Sequence, residues 1–445
     1  MVKRNSRNKS RNTSKLKSHY YQRTHLRPRP HKTIITRSQC NTVGSFFHSL
    51  PSEVFDMVLD KLSVLDISVF TMVSKDITQY VMDYISTVTW KNKMIFQNFH
   101  YSTCLEQRSS VGHYRDLGLL FKRCTLLLPT KERLKFIFGR LSQIPCFILE
   151  HCSAQACIGF SCYGVLLQTL IAGWDELECH RVFNFLCEHT NLLQKMKAVV
   201  TRKPGVKLYQ EMQLRLFCRQ VFLDPWPNQL ECQFWLLKLL KPWPLVSQAR
   251  LLFILYGPVQ PEGTLGWQDM VERSLPHNNL CDLARALLLL LGKIEVEGQT
   301  STMLAILEEL TVIPQPWHGE NVARVLVLCG SSLCYNVLAS KAINGRLPEI
   351  ARLLIYIILV CEKDGYHMSW VVKLVQQIYK VFSTPPEKFS FIQKLESTFS
   401  EVTREFFEFS FAGDHLDDRE TFQTLCILLD SSAHFHTKLL QMLFR

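Results

Sequence analysis

Apolar residues along most of this chain recur at three- and four-residue intervals, the period of a helix with one buried face. No long run alternates with the period of two that marks a half-buried strand. The densest signal is Leu50 to Ser74, LPSEVFDMVLDKLSVLDISVFTMVS. Val54, Val58 and Leu62 return every four residues with Met57 and Leu59 beside them, while Ser52, Asp56, Asp60 and Lys61 fill the polar side. Pro51 suits a first turn, where its missing N–H has no partner to lose, and Glu53 complements the positive end of the helix dipole. The pattern predicts a helix from Pro51 that Ser63 closes. Asp66 is read as the N-cap of a second helix carrying Ile67, Phe70 and Val73 on one face. Two short helices meeting at a tight corner follow.

Beyond Lys75 the helical period continues. Tyr80, Tyr84, Trp90 and Phe96 mark an aromatic-rich connection, and the next clear start is Leu128-Pro129-Thr130-Lys131-Glu132, with Thr130 as cap and Leu134, Ile137, Phe138 and Leu141 as the apolar face. Pro and Gly then punctuate helix-length pieces, as at Pro225-Trp226-Pro227, Pro242-Trp243-Pro244 and Pro314-Gln315-Pro316. Met303, Ile306, Leu307 and Leu310 keep the i, i+3, i+4, i+7 spacing, as do Ile350, Leu353, Leu354 and Ile357, and Val371, Leu374, Val375 and Ile378. Ala-Arg followed by an apolar run occurs at Ala249-Arg250, Ala284-Arg285, Ala323-Arg324 and Ala351-Arg352, at gaps of 35, 39 and 28 residues. Pro-Trp precedes two of them by six residues, at Trp243 and Trp317. Two architectures fit: a degenerate α-solenoid of stacked helix pairs, or an unrepeated helical bundle. The fold class is all-α in either case.

Charge changes the picture only at the start of the chain. Residues 1–52 hold 12 Lys and Arg and no Asp or Glu, which leaves the remainder with 39 basic side chains against 39 acidic ones. The net charge of +12 therefore belongs to this stretch, and a nucleic-acid surface on the folded body does not follow from it. Residues 1–44 have too few aliphatics to offset the entropy of ordering and are expected to be a disordered basic tail. Lys3, Arg4, Lys15, Lys17, Arg27, Arg29 and Lys32 are its nuclear-import candidates, the alternative being a solubilising extension. The expected location is the nucleus with a cytoplasmic share. A 16-residue uncharged stretch, Val325 to Ser340, is interrupted by Gly330, Ser331, Ser332 and Asn336 and falls short of the ~20 residues that span a bilayer. It is read as two buried helix pieces, and no membrane partner is expected.

The residues from Leu50 to Lys75 resemble the F-box, a three-helix module that docks substrate receptors onto cullin-RING ubiquitin ligases. Leu50-Pro51, Glu53, Val54-Phe55, Val58-Leu59, Leu62, Asp66-Ile67 and Val73-Ser74-Lys75 all fall in the family's register. The chain departs from the pattern at Ile77, where many F-boxes carry Trp. The resemblance implies that Leu50, Pro51, Val54, Val58, Leu59, Leu62, Ile67 and Val73 meet the SKP adaptor protein and, through it, cullin and a RING subunit. It lays the chain out as a tail over 1–44, an F-box over 45–90, a helical connection over 91–128 and an all-α partner-binding domain over 129–445. The implied function is substrate recognition in an SCF-type ligase, with an unidentified protein target. The alternative is a non-degradative helical scaffold tethered to chromatin or nucleic acid through the tail.

Cys146, His151, Cys152, Cys157 and Cys162 crowd seventeen residues, and Cys179-His180, Cys187 and His189 follow. Structural zinc sites usually pair their ligands closely, and the sequence has no Cys-x-x-Cys, so the expectation is no metal, no cofactor and buried thiols. The 16 cysteines show no disulfide-scaffold spacing. No phosphate loop, nucleophile elbow or metalloprotease motif occurs, so the expected protein is a non-catalytic subunit.

Overall fold

The computed structural model describes residues 50–95, 99–100, 103–149, 157–292, 297–412 and 417–443. The tail over 1–44 with its seven import candidates, Phe96, His151 and Cys152 lie outside the described residues. Two compact units are present, Met1–Phe55 and Asp56–Arg445. Of the first, only residues 50–55 are described, and the Phe55 amide there donates to the Pro51 carbonyl at 3.1 Å, closing a first helical turn.

Every regular element among the described residues is helical. The first group is α1 (Ser52–Leu59), α2 (Val64–Phe70), α3 (Lys75–Tyr84), α4 (Val88–Met94), α5 (Cys104–Cys124), α6 (Thr130–Leu141) and α7 (Gly159–Ile171). Next come α8 (Glu176–Thr190), α9 (Leu192–Val200), α10 (Leu208–Phe217), α11 (Gln229–Leu240), α12 (Leu245–Tyr256), α13 (Asp269–Glu272) and α14 (His277–Leu291). The last are α15 (Glu297–Leu310), α16 (Gly319–Cys329), α17 (Ser331–Ile343), α18 (Leu347–Lys363), α19 (Met368–Val381), α20 (Pro385–Ala412) and α21 (Asp417–Leu443). A single 3-10 turn at Pro145–Phe147 and a π-helical turn at Cys218–Leu223 complete the set. The apolar stripes read from the sequence are buried: Leu134, Ile137, Phe138 and Leu141 in α6, Met303 to Leu310 in α15, Ile350 to Ile357 in α18, and Val371 to Ile378 in α19.

The Ala-Arg repeat marks one row of a helix stack. α10 packs on α12, α12 on α14, α14 on α16, α16 on α18 and α18 on α20, while α17, α19 and α21 follow one another in a second row. The four Ala-Arg pairs lie in α12, α14, α16 and α18, consecutive members of the first row. Ala249, Ala284, Ala323 and Ala351 are all buried, as a methyl side chain should be where two helix axes approach closely. The arginines have no shared partner. Arg250 donates to the Val200 carbonyl, Arg285 pairs with Asp282 at the surface, Arg352 pairs with Glu405, and Arg324 enters a buried network. Val325–Ser340 divides as expected, with Gly330 at φ 86° joining α16 to α17, a left-handed conformation that glycine adopts without a Cβ penalty. No described helix is long and apolar enough to cross a membrane.

Two features of the amino-terminal half differ from the sequence reading. Thr130 lies inside α6 after Pro129, and its hydroxyl donates to Glu178 Oε2 at 2.6 Å instead of capping its own helix. The stretch 91–128, expected as a helical connection, contains α5, on which α2, α3 and α7 pack. Arg123 Nη1 donates to the buried Ser68 hydroxyl of α2 at 2.7 Å, and Arg140 of α6 reaches Ser86. Both expected boundaries, near 90 and near 128, fall inside the second unit.

Candidate functional site

The corner between α1 and α2 is built by a capping box. The Asp66 amide donates to Ser63 Oγ at 3.1 Å and the Ser63 amide donates back to the Asp66 carboxylate at 3.3 Å, so Ser63 is the N-cap and Asp66 the third helical residue. The assignment of Asp66 as the cap is corrected by three residues. Ser74 caps α3 by accepting from the Ile77 amide at 3.2 Å, and Tyr84 Oη at the end of α3 donates to Asp60 Oδ1 at 2.6 Å. That bond holds the Asp60 carboxyl below its usual range, while burial and the neighbouring carboxylate push the Tyr84 phenol up. The hydrogen bond therefore locks the end of α1 to α3 across neutral pH.

Behind this frame Leu59, Val64, Ile67, Ile77, Val81, Ile85 and Trp90 are buried. Leu59 and Ile67, to which the resemblance gave adaptor contacts, have 0 % of their surface exposed and belong to this chain's own core. One residue along a helix turns the side chain by about 100°, which is why Leu59 faces inward while its neighbour Val58 does not. Ile77 stands where many F-boxes carry Trp and fills a core position.

The outer side is apolar and open. Val58 and Met57 are exposed at the end of α1, Leu65 and Val69 are exposed on α2, and Met72 and Val73 are exposed in the turn just past its end. Met57 and Met72 keep 67 % and 66 % of their surface, far more than a methionine serving its own core would. Leu62 is half-buried. In the first unit Leu50 is half-buried and Pro51 and Val54 are exposed. Met57, Leu65, Val69 and Met72 were missed as site residues. The i, i+4, i+7 spacing of Leu65, Val69 and Met72 would have found those three had the stretch from Leu65 to Val73 been read for two apolar faces instead of one.

Elsewhere in the second unit, helices α15 to α18 line a cavity of about 370 Å³, apolar at Leu307, Val322, Leu326 and Leu353 and charged at Glu308, Lys341, Glu349 and Arg352. Of the lining residues, Lys341 bonds Glu349 at 2.8 Å and Glu308 is bonded by Arg346 at 2.9 Å. Burial pushes the thiols of Cys162 and Cys187 up to about 12 and that of Cys179 up to about 11, so none is a thiolate nucleophile near neutral pH.

Residues 188–445 match a family model described as FBXO47, ARM repeats, and so include the whole Ala-Arg row of helices. The chain is 46 % identical over 405 residues to the F-box only protein 47 of Homo sapiens, covering 90 % of this chain and 89 % of the human protein. It is 47 % identical over 405 residues to the F-box only protein 47 of Mus musculus, with 90 % of each chain covered. No solved structure matches it. Helices arranged as an F-box frame, a stacked row of the ARM-repeat kind and likeness along nine-tenths of the chain agree: this protein belongs to the F-box only protein 47 family.

Proposed function

We propose that the chain is the substrate-recognition subunit of an SCF-type ubiquitin ligase, in which the outer face of α1 and α2 binds the SKP adaptor and the ARM-repeat body holds a protein target. The observation that carries this reading is the open apolar face of Met57, Val58, Leu65, Val69, Met72 and Val73, set on a capped and hydrogen-bonded corner. Exposed apolar residues grouped on a rigid element are what a hydrophobic interface is made from. Leu50, Pro51 and Val54 take part by their place in the motif. Ubiquitin transfer in this reading is done by the cullin-bound RING and its partner enzyme. The target rests on the body, where the cavity lined by α15 to α18 offers an apolar floor for one or two side chains and a charged rim for orientation. The 12 basic side chains of residues 1–52 support nuclear delivery as part of the same reading.

The test is co-purification from cells. Tagged wild type should bring down the SKP adaptor and cullin, and Val69→Asp with Met72→Asp should lose both while the protein stays soluble and folded. Cullin retained by the double variant at the wild-type level would overturn the assignment of this face.

A further inference from the structure

We propose that His100, Cys146 and Cys157 form a zinc site that clasps the start of α7 to the segment ahead of α5. The three come from separate places: His100 from the α4–α5 connection, Cys146 from the 3-10 turn after α6, and Cys157 from just before α7. Their ligand atoms all lie within 4.8 Å of one another. Cys146 Sγ is 3.4 Å from His100 Nε2. Around tetrahedral zinc, with Zn–S of about 2.3 Å and Zn–N of about 2.0–2.1 Å, neighbouring donors stand roughly 3.4–3.8 Å apart, so this pair already has the spacing of one tetrahedral edge. Two thiolates and an imidazole without a carboxylate select a soft divalent ion such as zinc over calcium or magnesium.

The surroundings are shaped to hold the three donors. The Ile158 amide donates to the Phe99 carbonyl at 3.1 Å, pinning the residues next to Cys157 and His100 to each other. The Gly159 amide donates to Cys157 Sγ at 3.4 Å, the kind of outer hydrogen bond that stabilises a ligating thiolate. A Cβ on Gly159 would sit 2.6 Å from Cys146 Cβ and 2.7 Å from the Cys146 carbonyl oxygen, so glycine is what lets the Cys146 turn approach this closely. Phe99 and Phe147 flank the site at a ring separation of 5.5 Å, and Phe147 stacks on Tyr163 of α7 at 4.6 Å. His100 is exposed, which leaves a path for the ion. Binding releases the two thiol protons to solvent, and a water oxygen takes the fourth position. The sequence pattern hid this site because its first ligand lies 46 residues before the second, far outside any Cys-x-x-Cys window.

The experiment measures metal on the full chain purified under reducing conditions. Elemental analysis should find about one zinc per chain, and Co(II) exchanged for it should give the thiolate charge-transfer and tetrahedral d–d bands of a Cys-ligated ion. Cys146→Ser with Cys157→Ser, and separately His100→Ala, should lower zinc to background, whereas Cys426→Ser, an exposed thiol outside the cluster, should keep it. Acidification should release the ion as the thiols take up protons. Should the serine variants fail to fold, the wild-type zinc content and cobalt spectrum still decide. Wild type free of zinc and silent with cobalt, or zinc retained by the double serine variant, would each overturn the proposal.

Discussion

Replacing Arg324 with Met should cost the fold about 3–5 kcal/mol, the penalty of leaving a buried ion-pair network with one member gone. The arginine is 4 % exposed. Its Nε donates to Asp364 Oδ2 at 2.8 Å and its Nη2 to Oδ1 at 3.2 Å, a two-pronged pair joining α16 to the residue that ends α18. Its Nη1 donates to the Leu275 carbonyl at 2.8 Å and the Ser274 hydroxyl at 3.0 Å, just ahead of α14. Glu320, one turn earlier and 2 % exposed, is satisfied by Lys363 at 2.9 Å and by the Ser274 hydroxyl at 2.8 Å. Asn321 adds bonds to the Met270 and Arg273 carbonyls and accepts from the Leu275 amide. Three successive layers of the stack thus meet through one cluster, and methionine would fill the volume while stranding Asp364. Urea unfolding of the full chain, with Asp364→Asn and the double variant closing a cycle, measures this. A loss under about 1 kcal/mol for Arg324→Met would mean that the network is solvated and does not couple the layers.

The second large effect separates two adjacent residues. Leu59→Ala should destabilise the chain by about 2–5 kcal/mol because a side chain with no exposed surface leaves a cavity behind. Val58→Ala, one position away and 40 % exposed, should change stability by no more than about 0.5 kcal/mol. Denaturant midpoints of the two variants check the contrast directly. Equal losses would place both side chains in the same environment and undo the division of α1 into an inner and an outer side.

That division shows what was legible in the sequence. The helical class, the stripes in α6, α15, α18 and α19, and the split at Gly330 were readable because each depends only on local spacing or on a single glycine. The alanines at 249, 284, 323 and 351 were readable as a repeat because every layer needs a small residue at the same helix contact. The arginines beside them share no partner: those of Arg250, Arg324 and Arg352 lie about forty to fifty residues away and differ in each layer, and that of Arg285 stands three residues before it on its own helix. The same distance hid the Glu320, Asn321 and Arg324 cluster. At the corner, the F-box resemblance gave Val58 and Leu59 one role, although on a helix that is apolar on two sides only tertiary packing decides which side faces in. Ser63 and Asp66 are both sound caps, and only the reciprocal bonds showed which residue begins α2.

The docking claim comes down to one titration, that of the purified full chain with the SKP adaptor, followed by calorimetry. Burying a valine and a methionine contributes about 1.5–3 kcal/mol each, so Val58→Asp with Met72→Asp should weaken binding by more than about 100-fold, even before the cost of burying two carboxylates. Wild type should bind, and the double variant should melt at the wild-type temperature while binding weakly or not at all. Wild type that fails to bind, or a folded double variant that binds as tightly as wild type, would contradict the account.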